Sequence, residues 1–405
     1  MSEPVQLWLD CDPGHDDVFA ILLGAYHPGI KLLGISTVHG NASLDKTTNN
    51  ALSVLKAIGK HDDIAVYPGA AQALQRDPIH APTDIHGESG LDGTSLLPKP
   101  ARKAQTDKSA VDAMADALRA TAPGSAWVVA TGGLTNVGAL FQAHPELRAH
   151  IAGLSIMGGA VGGGFTPAVM SRVDDHEAEE GQDEKQEARV GNYTRWAEFN
   201  VLIDPEAAAL LLEDPVLAPK TTLVPLDLTH LMLATRDMQD MLLYGRGGEG
   251  STVSEVARED REEGREPKSR LRVMLIELLN FFAETYRDVF GIMEGPPLHD
   301  PLAVAAILTG TSHEIPFYDF DPKSAEGPER RGRERFAVKV VTEGSLDDAL
   351  HRGAQTGRTL VQLLPPGSEG VRIPRGLDIE RFWRVVEECC QRADEANARL
   401  GGELR

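Results

Sequence analysis

The sequence predicts an α/β fold, with an open, mostly parallel central sheet flanked by helices and interrupted by polar surface insertions. Three observations predict it. Apolar runs of strand length alternate with runs of helical length and spacing, the pattern of repeated βαβ units. Several strand-like runs end in a polar or glycine-rich exit. No linker halves the chain and no repeat recurs at a fixed period, so residues 1–405 read as one elaborated domain.

The elements follow in order. "VQLWLDCD" (5–12) is a short buried strand, and "DDVFAILLGAYH" is the helix after it. "IKLLGISTVHGN" is a second strand ending at Gly40-Asn41, and "TTNNALSVLKAIG" is amphipathic at helical spacing. "AWVVATGG" is a strand that turns directly into the helix "LTNVGALFQAHPEL". "HIAGLSIMGGAVGGG" is another apolar strand with a glycine-rich exit, and "PLAVAAILTG" is a short helix entered through "HDP". Parallel sheets bind ligands at the carboxyl ends of their strands. The exits "DCDPGHDD", "VHGN", "ATGGLTN" and "MGGA" are therefore expected to converge on one site. Three polar stretches, 162–191, 244–270 and 321–335, carry little apolar content and are expected to be flexible insertions.

Composition excludes several classes of function. The formal net charge is −21, and eight acids against one lysine sit in 174–187 alone, so nucleic acid is not an expected partner. No apolar run reaches membrane-spanning length, and the start "MSEPVQLWLD" lacks the pattern of a secretory leader. With three cysteines, no Cys-x-x-Cys and Cys389 adjacent to Cys390, a cytoplasmic location is expected.

The chemistry concentrates at the first exit, where Asp10, Asp12, Asp16 and Asp17 fall within eight positions. Asp10 and Asp12 are two apart on a strand and point to one side. Asp16 and Asp17 then open a helix, whose N-terminus favours a carboxylate by only about 0.3–1 kcal/mol. That is too little for four. Asp16 as an N-cap beside solvated turn residues is the ordinary alternative, but acids wedged between apolar runs would be buried unpaired. A hard cation resolves the conflict. Several carboxylates with carbonyls and water suit calcium, whereas Mg²⁺ prefers fewer protein ligands. Without cysteine ligands or a His-x-x-x-His arrangement, zinc does not fit. A second acidic exit, His299-Asp300-Pro301, precedes an apolar helix, with Asp300 expected as N-cap. The glycine-rich exits lack the spacing of a Walker loop or dinucleotide fingerprint. Glu198 and Asn200, two apart, suit a polyhydroxylated ligand.

At this point the residues resemble the inosine–uridine-preferring nucleoside hydrolases. "LDCDPGHDDVFAILL" is similar to that family's N-terminal signature. The resemblance continues through "VHGN", "HGESGLDG", "ATGGLTN", "MGGA", "GNYTRWAEFN", "LHDPLAVAA" and "RGLDIERFWRVVEE". It implies a Rossmann-like nucleoside hydrolase fold and hydrolysis of the N-glycosidic bond of ribonucleosides, uridine or inosine foremost, to ribose and free base. It also implies one held Ca²⁺ and a homo-oligomer, dimer or tetramer.

Carried over by motif, Asp12 and Asp17 would ligate calcium together with Asp300 and the backbone carbonyl of Thr135. The ribose diol and a water would complete the set, and Asp12 would take the proton of that water as it attacks. Asp16, Asn41, Met157, Asn192, Glu198 and Asn200 would surround the ribose. His299 would lie near the departing base, and His86 matches a family histidine near the pocket. Asp10 would support the ligands from behind. His39 stands where the family often has a small or apolar residue, and Trp196 alone does not establish an aromatic base clamp. Two competing readings are a nucleoside- or sugar-binding protein without turnover and a Mg²⁺-dependent phosphohydrolase of the haloacid dehalogenase type.

Overall fold

The computed structural model describes residues 3–81, 83–171, 189–245, 266–319 and 333–401. Most of each expected insertion, at 162–191, 244–270 and 321–335, therefore lies outside the described residues.

Six strands form the central sheet: β1 (Val5–Cys11), β2 (Ile30–Thr37), β3 (Val66–Pro68), β4 (Ala126–Ala130), β5 (Gly153–Met157) and β6 (Thr221–Val224). Their order is β3-β2-β1-β4-β5-β6, and every pairing is parallel. This is a doubly wound arrangement whose order reverses between β1 and β4. The longer helices are α1 (Asp17–Tyr26), α2 (Leu44–Ala57), α3 (Ala110–Arg119), α4 (Thr135–Ala143), α5 (Pro205–Leu212), α6 (Arg270–Phe290), α7 (Asp300–Ala306) and α8 (Ile379–Leu400).

Alternation along β1 decides the layering. Leu7, Leu9 and Cys11 enter one apolar cluster with residues of α1, α6, α7 and α8. Trp8 enters the other, built with α3, α4 and α5. The helices therefore cover both sheet faces, as a parallel sheet requires. α1 is apolar nearly all round because it packs on both α7 and α8 and is almost wholly buried. α7 is tied to the sheet where the Ser155 hydroxyl donates to the Ala303 carbonyl at 2.7 Å.

Two small antiparallel ladders lie outside the central sheet. One pairs Phe317–Tyr318 with Gly376–Leu377, and the other pairs Phe336–Val340 with Thr359–Leu363. Among the described residues no helix is long and apolar enough to cross a membrane.

Candidate active site

The exits of β1, β2, β4 and β5 meet the start of α7 and one face of α6 around a single cavity. Its lining includes Asp16, Asn41, His86, Thr131, Met157, Asn192, Glu198, Asn200, Phe282, Tyr286, His299 and Asp300. About 490 Å³ of space, open solvent included, lies between these residues. Among the described residues, no lysine or arginine lines it.

The acidic floor is built from β1. Asp10 is fully buried, and its Oδ1 accepts from the Ser36 hydroxyl and, at 2.8 Å, from Asn136. Its Oδ2 has no partner. Asp12, on the same side of the strand, accepts the Asn41 N–H on Oδ2 at 2.8 Å, while its Oδ1 is buried without a partner. Two glycines make room for this carboxylate. A Cβ at Gly40 would stand 1.9 Å from Asp12 Oδ2, and one at Gly132 would stand 2.5 Å from Oδ1.

Asp17 accepts from the Gly14 N–H at 2.9 Å and the Thr131 hydroxyl at 2.9 Å. Asp16 occupies the N-cap position of α1 but makes no capping bond. It accepts the Asp300 N–H at 3.3 Å instead. Asp300 is not the cap of α7 either, because His299 holds that position and Asp300 is the first helical residue. Both carboxylates are thus left for the cavity. Oxygens of Asp16, Asp17 and Asp300 lie within 4.8 Å of one another.

Burial pushes Asp10 and Asp16 up to about 7 and raises Asp12, Asp17 and Asp300. For Asp12, Asp16 and Asp300 the neighbouring carboxylates push the same way. So many buried acids, all hard oxygen donors and two of them, Asp10 and Asp12, with an unpartnered oxygen, fit a hard divalent cation. Asp12 stands outside the 4.8 Å group, but its orphaned Oδ1 gives it the same need.

Above this floor, Glu198 caps the short helix Phe199–Ile203, accepting from Asn200 N at 2.8 Å and Val201 N at 3.1 Å. It also accepts Gly159 N at 2.8 Å, which fastens the helix to the exit of β5. Burial raises it to about 7. Asn200 donates to the Thr131 and Met157 carbonyls at 2.9 and 3.2 Å. Asn192 accepts the Phe199 N–H at 2.9 Å.

The far wall is aromatic. Tyr286 Oη lies 2.7 Å from His299 Nε2, and the Thr229 hydroxyl lies 2.7 Å from His299 Nδ1. Phe282 packs edge-on to Tyr286 one helical turn earlier. Burial lowers His86 and His299 well below the ordinary range of histidine, so both rings are neutral.

Most of the residues singled out from the sequence meet here, but Thr135 does not. It heads α4 with its hydroxyl on Asp204 Oδ2 at 2.8 Å and does not line the cavity. Thr131, four residues earlier at the end of β4, lines it in that place. His39 is spent on the Ile79 carbonyl at 2.8 Å, and Trp196 lies under the Arg358 guanidinium at 4.3 Å, outside the cavity lining. Sequence reasoning also missed Phe282, Tyr286 and Thr229. "NFFAETY" does carry aromatics four apart on an amphipathic helix, but that spacing reads equally well as core.

Comparison with known proteins follows the same lines. Residues 7–384 match the family model described as inosine-uridine preferring nucleoside hydrolase. The uridine nucleosidase of Saccharomyces cerevisiae is 38% identical over 395 residues, covering 96% of this chain and 97% of that protein. The pyrimidine-specific ribonucleoside hydrolase RihA of Salmonella newport is 36% identical over 299 residues, covering 74% of this chain and 78% of that protein. The purine-preferring ribonucleoside hydrolase of Gardnerella vaginalis shares the fold, with a TM-score of 0.69 at 24% identity over 96% of this chain and 99% of that one.

Proposed function

This chain belongs to the inosine-uridine preferring nucleoside hydrolase family and is a nucleoside hydrolase acting on ribonucleosides; from that premise we propose that it hydrolyses the N-glycosidic bond of uridine, or of a related ribonucleoside such as inosine, in a calcium-dependent reaction. The observation that carries this reading is the buried carboxylate cluster, with Asp12 Oδ1 unpartnered and, among the described residues, no cationic side chain in the cavity lining. The preference for uridine is supported by the name of the yeast relative, and that for a pyrimidine nucleoside by the name of the Salmonella one.

Asp12, Asp17 and Asp300, with the backbone carbonyl of Thr131 rather than of Thr135, would hold the cation. When bound, calcium would orient the ribose diol and lower the pKa of a water. Asp12 takes the proton from the water that attacks the anomeric carbon. Asp16, Asn41, Met157, Asn192, Glu198 and Asn200 surround the ribose. As the bond to the base breaks, positive charge develops on the sugar, and the surrounding carboxylates stabilise it. The bond's electron pair leaves with the base, and the neutral Tyr286–His299 pair supplies the base with a proton or a hydrogen bond. His86, which also lines the cavity, would contact the base. Asp10 stays behind the metal ligands, held by Ser36 and Asn136.

A phosphohydrolase reading fits this cavity poorly, because a transferring phosphoryl group would meet Asp16, Glu198 and Asp300 and, among the described residues, no lysine or arginine in the lining. The whole chain acts as one domain in this proposal, and light scattering would test the dimer or tetramer the family suggests. The central experiment is release of reducing sugar from a panel of ribonucleosides, before and after chelation. Calcium-restored release supports the reading. Nucleoside binding without release of base would replace it with a binding protein.

A further inference from the structure

His15, a residue of "DPGHDD" with no role above, is placed to decide what His86 offers a ligand. It is fully buried and lies face-on to Phe281 and Phe282, with ring centroids 5.1 and 5.7 Å away and planes within 7°. Its Nε2 lies 2.8 Å from the Asp92 carbonyl. A carbonyl only accepts, so the proton of His15 is on Nε2 and its Nδ1 carries a lone pair. His15 Nδ1 stands 3.0 Å from His86 Nδ1. With His15 accepting, His86 must donate from Nδ1. Its single proton is then used, and Nε2, which has no hydrogen-bond partner among the described residues, carries the lone pair on a ring that lines the cavity. The His15 backbone N–H also reaches His86 Nδ1, at 3.4 Å. That longer contact favours the opposite tautomer and loses to the shorter one.

We infer that His15 is a positioning residue that fixes the tautomer of His86, so that His86 presents a hydrogen-bond acceptor to the cavity and selects nucleosides whose base carries a ring N–H. Resting on the reading that the cavity takes a nucleoside, this favours uridine over cytidine and inosine over adenosine, since N3 of cytosine and N1 of adenine are themselves acceptors. A site whose acceptor meets an acceptor leaves both unpaired, and such mismatches discriminate strongly.

The test has two parts. Long-range proton–nitrogen NMR on the full-length protein labelled with ¹⁵N-histidine, with His86 assigned by its loss in His86→Ala, should show His86 protonated on Nδ1. Protonation on Nε2, as an imidazolium at position 15 would require, overturns the inference. In kinetics, His15→Leu leaves His86 Nδ1 facing only the backbone N–H, so the tautomer reverses. The uridine-to-cytidine ratio of kcat/KM is then expected to fall by about tenfold or more. His15→Asn, which keeps an acceptor where Nδ1 stands, is expected to retain most of the ratio. An unchanged or increased ratio in His15→Leu, with the fold intact by circular dichroism, overturns the inference. If the wild type releases ribose from no nucleoside, the hydrolase reading has failed instead, and the NMR result still decides the tautomer.

Discussion

Two buried clusters of charge lie in this molecule, and they are built on opposite terms. Between α6 and α8, Arg272 is completely buried, with Nε on Asp394 at 2.7 Å, Nη2 on Glu387 at 3.1 Å and Nη1 on the Leu242 carbonyl at 2.6 Å. Ser269 donates to the second oxygen of Asp394 at 2.6 Å. Cation and anions come from the same chain, and the guanidinium is bonded through all three of its nitrogens. At the exit of β1, Asp10, Asp12, Asp16, Asp17 and Asp300 are also buried, and among the described residues no cationic side chain lines the cavity beside them. A buried charge that the chain neutralises itself is architecture. One that it leaves uncompensated marks a place for something from outside.

The contrast can be broken by substitution. Asp12→Asn should reduce kcat for uridine by about a thousandfold, within the range for loss of a catalytic base, and Asp300→Asn should also cost orders of magnitude. Yet in cation-depleted protein the same Asp12→Asn change should raise the melting temperature by a few degrees, because it removes an unpartnered charge. A fall in melting temperature there would show that Asp12 is not electrostatically strained. Arg272→Met should act the other way. It removes the cation that two buried carboxylates share and should cost about 3–5 kcal/mol in urea unfolding, while kcat per folded molecule stays near wild type. Loss of kcat without loss of stability would mean that the two clusters are coupled.

Smaller changes sharpen the comparison within the cavity. Tyr286→Phe removes the hydroxyl on His299 Nε2 and should lower kcat for uridine about tenfold, with KM little changed. A riboside with a 4-nitrophenol leaving group needs no proton and should be cleaved at the wild-type rate. An equal loss on both substrates would place Tyr286 on the sugar side. His86→Ala should have the mildest effect, a few-fold and mainly in KM, read from full saturation curves.

The acidic floor was legible because its signals are local. Asp10 and Asp12 share a side of one strand, and Asp16 and Asp17 begin the next helix, so a short stretch carries most of the cluster. The inner sheet was equally readable, since β1, β2, β4 and β5 are apolar runs with polar exits. The outer strands β3 and β6, of three and four residues, are too short for periodicity to separate from loop. The hairpin Phe336–Val340 with Thr359–Leu363 went unread beside a polar insertion. Within the site the losses were of one kind. Thr131 and Thr135 lie on either side of a strand-to-helix turn, and only the path of the chain decides which one faces the cavity. His15 and His86 are 71 positions apart, and no pattern in either segment says that they touch.

The burial of α1 has a consequence for how the protein is made. This helix leaves the ribosome early, apolar on nearly every side, while α7 and α8, which cover it, are encoded at the other end of the chain. At about 5–20 residues per second it waits tens of seconds for its partners. A nascent chain stalled before α7 would display the apolar α1 next to an incomplete acidic floor. Such truncated chains are expected to be chaperone clients and to aggregate when overproduced, so expression from fragments will fail where expression of the whole chain succeeds.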